Sequence, residues 1–201
     1  FRRPIRAVEL ADYEALFTTS LQGATTAGFA EPVDEALQTV LQALFLSPNV
    51  VFKPEFVPGG LDPSERGFGI ASRLSLTLRS SIADEPLWTL AGSGGLSSSE
   101  VIRAQATRLL RDNRDRFTHS FGGQWLDFRE PAPGMLGPSM QQESHDVFAA
   151  VLESNLPAER LLRPGFTLVD GQLGRHYGLP LSGLGPTYRV TTTERGGLLS
   201  H

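Results

Sequence analysis

The stretch 33-VDEALQTVLQALFLSPNVVF-52 decides the fold class. Val33, Ala36, Leu37, Val40, Leu41, Leu44 and Phe45 recur at spacings of three and four, which places them together on one helical face. Ser47-Pro48 closes the helix, because proline disfavours helical geometry in the residue before it. The period predicts that this face turns inward. Upstream, a second helix is expected from about Val8 to Leu21, with Leu10, Tyr13, Phe17 and Leu21 inward.

Downstream, 57-VPGGLDPSE-65 is rich in turn formers and marks a joint. The next segment, 66-RGFGIASRLSLTLRSS-81, gathers Ile70, Ala71, Leu74 and Leu78 on one face. In 83-ADEPLWTLAGSGG-95, Asp84 can cap a short helix whose first turn tolerates Pro86. Ser97 and Glu100 have the spacing of a capping box, with Ile102, Ala106, Leu109 and Leu110 as the buried stripe behind it. The stretch 116-RFTHSFGGQWLDF-128 reads as a helix interrupted near Gly122-Gly123, with Trp125 as a core anchor.

A second box, Ser139 to Gln142, opens a helix that turns Ser144, Val147, Phe148, Val151 and Leu152 inward. Pro157 starts a short helix to Leu162. The alternating 188-YRVTTTE-194 is the one strand the pattern supports. The sum is an all-α chain of about eight helices in a compact bundle-like array, with one short C-terminal β-like segment. Three parts are expected: a two-helix module at 1–57, a main helical domain at 58–185, and the start of a following domain at 186–201.

Composition narrows the function classes. The chain has 201 residues and a net charge of −4, so no global basic field draws nucleic acid. No apolar run approaches the roughly 18 residues of a membrane span. With no cysteine, thiolate metal sites, disulfides and a Cys-x-x-Cys-His haem attachment are excluded within these residues. Phosphate-loop, dinucleotide, zinc-protease and serine-elbow motifs are absent. The sequence begins at Phe1 and ends in Arg-Gly-Gly-Leu-Leu-Ser-His, and reads as an internal piece of a longer protein.

The residues left for chemistry are few. Arg73, Asp84, Glu143 and His176 are the catalytic candidates, and His176 with Tyr177 the cofactor-binding ones; no metal-ligating set is read. Each has a structural reading beside it. Asp84 and Asp170 are helix caps. Glu143 belongs in a first turn, where negative charge is favoured. Arg73 pairs with a carboxylate or with helix-end carbonyls. In 166-FTLVDGQLGRHYGLP-180, Asp170 caps a short helix, Gly178 leaves it left-handed, and His176 sits in the last turn. Glu143 and His145, two residues apart, diverge by about 200° on a helix and cannot share one metal. His119 and His145 are expected on helix surfaces or boundaries.

The segments 1-FRRPIRAVELADYEALF-17, 37-LQTVLQALFLSPNVVFKPE-55, 71-ASRLSLTLRSSIADEPLWTLAGSGGL-96, 108-RLLRDNRDRFTHSFGGQWLDF-128, 143-ESHDVF-148 and 166-FTLVDGQLGRHYGLP-180, in this order, resemble planctomycete-type PSD domains of unknown function. The segment 188-YRVTTTERGGLLSH-201 looks like the opening of a further one. Here Thr77-Leu78-Arg79 and Ala83-Asp84 stand where that family tends to have an aromatic-rich run and a Pro-Asp pair. The resemblance assigns no catalytic residue. It implies a large multidomain, exported parent with a cytochrome c module, a periplasmic or extracellular location, and haem c in a neighbouring domain rather than in this chain. The function it favours is a non-catalytic helical scaffold or docking module, whose partners are other domains of the parent. A haem- or metal-binding redox domain, and a subunit of a protein assembly, are the alternatives.

Overall fold

The computed structural model of the chain describes residues 1–52, 63–181 and 186–191. Among these residues the fold is helical apart from one two-stranded ladder, so the expected fold class holds. Two compact units interleave along the chain: residues 1–73 with 82–102, and residues 74–81 with 103–201. The sequence reading expects consecutive segments instead, and its joints at 57/58 and 185/186 fall outside the described residues.

The first unit opens with α1 (Ala7–Ala27) and α2 (Pro32–Leu46), which pack on each other. Gly28 turns between them at φ 76°, a left-handed conformation that costs glycine nothing. The Arg6 backbone N–H donates to Glu9 Oε2 at 2.9 Å and satisfies one free donor of the α1 start. A short α3 (Pro48–Val51) follows, capped by Ser47. The inward face of α2 is narrower than its periodicity predicts. Ala36 is buried and Val40 and Leu44 are half-buried, while Val33, Leu37, Leu41 and Phe45 are exposed. One helix neighbour covers one stripe, and the four exposed residues lie on the adjoining i, i+4 row. In α1, Leu10 is likewise exposed and Ala24 is buried.

The unit continues into α4 (Pro63–Arg79), which crosses into the second unit after Arg73, and α5 (Glu85–Gly92). A Cβ on Gly67 would stand 2.5 Å from the Ala91 carbonyl oxygen, so glycine permits the close approach of these two helices. Phe68 meets Trp88 edge-on at 4.8 Å, and Ala71, Leu87 and Leu96 of this unit are buried.

The second unit takes most of α6 (Ser99–Asp112). Next come α7 (Arg114–Phe117), one π-type turn at Thr118–Gly122, and α8 (Gly123–Trp125). The expected interruption near Gly122 is this π turn, which carries the helix onward. The Gly122 Cα is tight against Phe128 and Phe148, where a Cβ would come within 3.2 Å of both rings. The long α9 (Gly137–Glu153) runs through the core, with Val147, Phe148 and Val151 packed against Leu161 and Phe166. After one 3₁₀ turn (Ala158–Leu161), β1 (Phe166–Val169) leads into α10 (Gly171–His176). Finally β2 (Tyr188–Thr191) pairs antiparallel with β1, Phe166 opposite Thr191 and Val169 opposite Tyr188. Arg189 lies 3.8 Å above the Phe166 ring.

Candidate functional site

Glu143 lies on the buried face of α9 and is 1% exposed. The Tyr177 hydroxyl donates to its Oε2 at 3.0 Å, and the Thr167 hydroxyl donates to its Oε1. Thr167 comes from β1 and Tyr177 follows α10, so a single carboxylate ties three elements together. A buried carboxylate requires such donors, since an unpaired one costs several kcal/mol. The first-turn reading of Glu143 is therefore corrected: α9 begins at Gly137, and Glu143 sits beyond the reach of its N-terminal dipole.

Ser139 does not form the expected box, because it already lies inside that helix. Asp170 caps α10 as expected, accepting from the backbone N–H of Gln172 at 2.9 Å and of Leu173 at 2.7 Å. The Leu173 N–H foremost, then Ser139, the Gln172 N–H and the Arg175 charge, hold its carboxyl below the usual range against the effect of burial. His176 is the last residue of α10 and is exposed; Gly178 leaves the helix at φ 67°. Its ring lies 5.6 Å from that of Tyr177, centre to centre. Glu143, Tyr177 and His176 thus belong to one neighbourhood of the second unit, joined through Tyr177.

Arg73 and Asp84 belong to the first unit. Asp84 caps α5 by accepting from the Leu87 N–H at 3.2 Å. Arg73 is exposed on α4, and the carboxylate or carbonyl partner expected for it is not seen among the described residues. Ser97 also departs from its expected role, since its hydroxyl donates to the Gly94 carbonyl at 2.9 Å. In the same unit, an open groove of about 440 Å³ is lined by Glu9, Asp12, Tyr13, Leu46 and Asn49 among others. Glu9 is bidentate with Arg3, at 2.6 and 2.8 Å, and accepts from Asn49. The Arg3 hydrogen bonds foremost, with the Arg6 N–H and both guanidinium charges, outweigh burial and pull the Glu9 pKa down to about 2.

Two features lie beyond what the sequence alone could place. The first is the contact of His119, in the π turn, with His145 on α9, their rings 5.6 Å apart and edge to face. The residues are far apart in the chain, so no local pattern could join them. The second is aromatic. Trp125 is 58% exposed rather than a core anchor, and it forms a surface row with Phe121 at 5.7 Å, which stacks in turn on Phe117 at 4.9 Å. The π turn changes which residues point inward, a shift that amphipathic periodicity does not encode. Among the described residues, no group of three or more His, Cys, Asp or Glu could hold a metal ion, and no helix is long and apolar enough to cross a membrane.

A family model described as PSD4, protein of unknown function (DUF1592), matches residues 66–179, more than half of the chain. No curated protein and no solved structure matches it.

Proposed function

The chain belongs to the PSD4 family, and from that premise we propose that it is a non-catalytic helical docking module of a larger, exported, cytochrome-c-associated redox protein. The observation that carries the reading is the row Val33, Leu37, Leu41 and Phe45 on α2, each about half exposed or more. Contiguous exposed apolar surface marks interaction sites, whereas scattered exposed leucines do not. The polar residues support the same reading. Asp84 and Asp170 are consumed as caps, and Glu143 is consumed in holding α9, β1 and Tyr177 together. The location outside the cytoplasm, and haem c in an adjoining domain, rest on the sequence resemblance alone.

The test is the double variant Leu37→Glu/Leu41→Glu. As exposed positions, they leave the melting temperature of the chain close to that of the parent sequence. Association with the adjoining domains, supplied in trans and followed by sedimentation, is lost. Unchanged association overturns the docking role of this row, and a collapse in melting temperature shows that the row is core.

A further inference from the structure

The hairpin of α1 and α2 carries charge of one sign. Residues 7–52 hold six carboxylates, Glu9, Asp12, Glu14, Glu31, Asp34 and Glu35, and no Lys, Arg or His. The whole chain has a net charge of −4, so its negative excess is gathered in this stretch. Of the cations that precede α1, Arg3 is spent on Glu9 and Glu65, and Arg6 on Glu65. Apart from Glu9, these carboxylates form no ion pair and no side-chain hydrogen bond among the described residues. Acidic residues in a first turn are favoured by the helix dipole, which accounts for Asp34 and Glu35. It does not account for Glu14, well inside α1.

This charge borders the exposed apolar row of α2. The groove of the first unit is lined by Asp12 and Leu16 from α1 and by Ala43 and Leu46 from α2. Two residues turn a helix by about 200°, so Glu14 on α1 and Leu41 on α2 both point away from that groove. Exposed Leu10, one turn before Glu14, shares its side. On α2, Asp34 follows Val33 by about 100°, inside the arc from Val33 to Phe45. The row is thus an apolar strip with bare carboxylates beside it and, in its own two helices, no cation to neutralise them.

We propose that the α2 row docks a basic amphipathic helix, whose apolar stripe covers Val33, Leu37, Leu41 and Phe45 and whose flanking Lys or Arg side chains meet Glu14, Glu31 and Asp34.

This rests on the docking reading above and adds the chemistry of the partner. Apolar side chains repeated at i, i+4 along a helix fit the stripe of a second helix. Charges around such a stripe decide which partner is admitted, since like charges across an interface are strongly unfavourable. A second copy of this chain fails that rule, because a two-fold contact on this row sets carboxylates against carboxylates. An anionic lipid surface or a nucleic acid is repelled in the same way.

The experiment follows the fluorescence anisotropy of three labelled helical peptides titrated with the full chain. One carries a leucine stripe flanked by lysines, one the same stripe flanked by glutamates, and one the lysines with alanine in place of leucine. The first is expected to bind about tenfold tighter than either of the others, and to weaken about tenfold between about 0.05 and about 0.3 M salt. In the triple variant Glu14→Gln/Glu31→Gln/Asp34→Asn, with helicity retained by circular dichroism, its binding is expected to fall about tenfold and to lose its salt dependence. Equal binding of the two leucine peptides, or unchanged binding by the triple variant, overturns the basic partner. The docking reading survives that result if Leu37→Glu/Leu41→Glu abolishes binding of both leucine peptides, and falls with it if they remain bound or if neither binds the parent chain. Equal binding of the alanine peptide shows attraction by charge alone and overturns the proposal. So does a dimer in sedimentation that Leu37→Glu/Leu41→Glu dissolves, which makes the occupant a second copy.

Discussion

A carboxylate at 1% exposure is stable only if its acceptors are filled, and Glu143 fills them with hydroxyls from two other elements. Removing one donor and removing the acceptor therefore have different effects. Tyr177→Phe deletes one hydrogen bond to a charged group, an expected loss of about 2 kcal/mol. Glu143→Ala strands both hydroxyls and leaves a cavity, and is expected to cost about 4 kcal/mol. Urea unfolding of the two variants measures the difference; equal losses would show that Thr167 finds another partner. At α10 the cap and the last-turn histidine make a matched pair. Asp170→Ala removes the acceptor of two backbone N–H groups and is expected to cost about 1 kcal/mol. His176→Gln, at an exposed helix end, is expected to change stability by less than about 0.5 kcal/mol in the same assay.

Elements were legible where their signals are local. The Asp84 and Asp170 caps, the Ser47-Pro48 stop and Gly178 each depend on residues within one helical turn, and each is found as read. What failed depends on neighbours across space. The α2 period shows an apolar face, but its width matched to α1 decides how much is buried. Phe166–Val169 becomes a strand only because Tyr188–Thr191 lies beside it. The two capping boxes failed on position: Ser139 lies inside α9, and Ser97 lies in the turn before α6 with its hydroxyl on the Gly94 carbonyl. Of the site, the pairing of Glu143 with Tyr177 was within reach as a list of residues but not as a contact. The α1 start gives a prediction at this scale. Glu9 has its pKa pulled from 4.5 to about 2 by Arg3 foremost. A depressed carboxyl stabilises above its unfolded value, and the contribution is lost as pH falls from about 4.5 through about 2. Glu9→Gln is expected to remove the part of the acid dependence that arises at α1, read as flatter helicity between pH 5 and pH 2 by circular dichroism.

For the whole molecule, the family match at 66–179 leaves α1, α2 and α3 outside the matched residues. The exposed α2 row thus lies outside the part that defines the family, while Glu143, Tyr177 and His176 lie inside it. A site carried by the family would sit in the second group, and a docking surface particular to this chain in the first. The two are separated by one measurement on the chain isolated from its native source: an absorption spectrum with metal analysis. The docking reading expects no Soret band and no stoichiometric metal, because the polar groups near Tyr177 are engaged in holding elements together. A Soret band that is lost in His176→Gln, with the helicity of the chain retained, would make His176 an axial ligand and overturn the non-catalytic reading. Within the Glu143 neighbourhood, the exposed end of α10 is the place such a ligand would come from, since Glu143 and Thr167 are buried and Tyr177 is committed to Glu143.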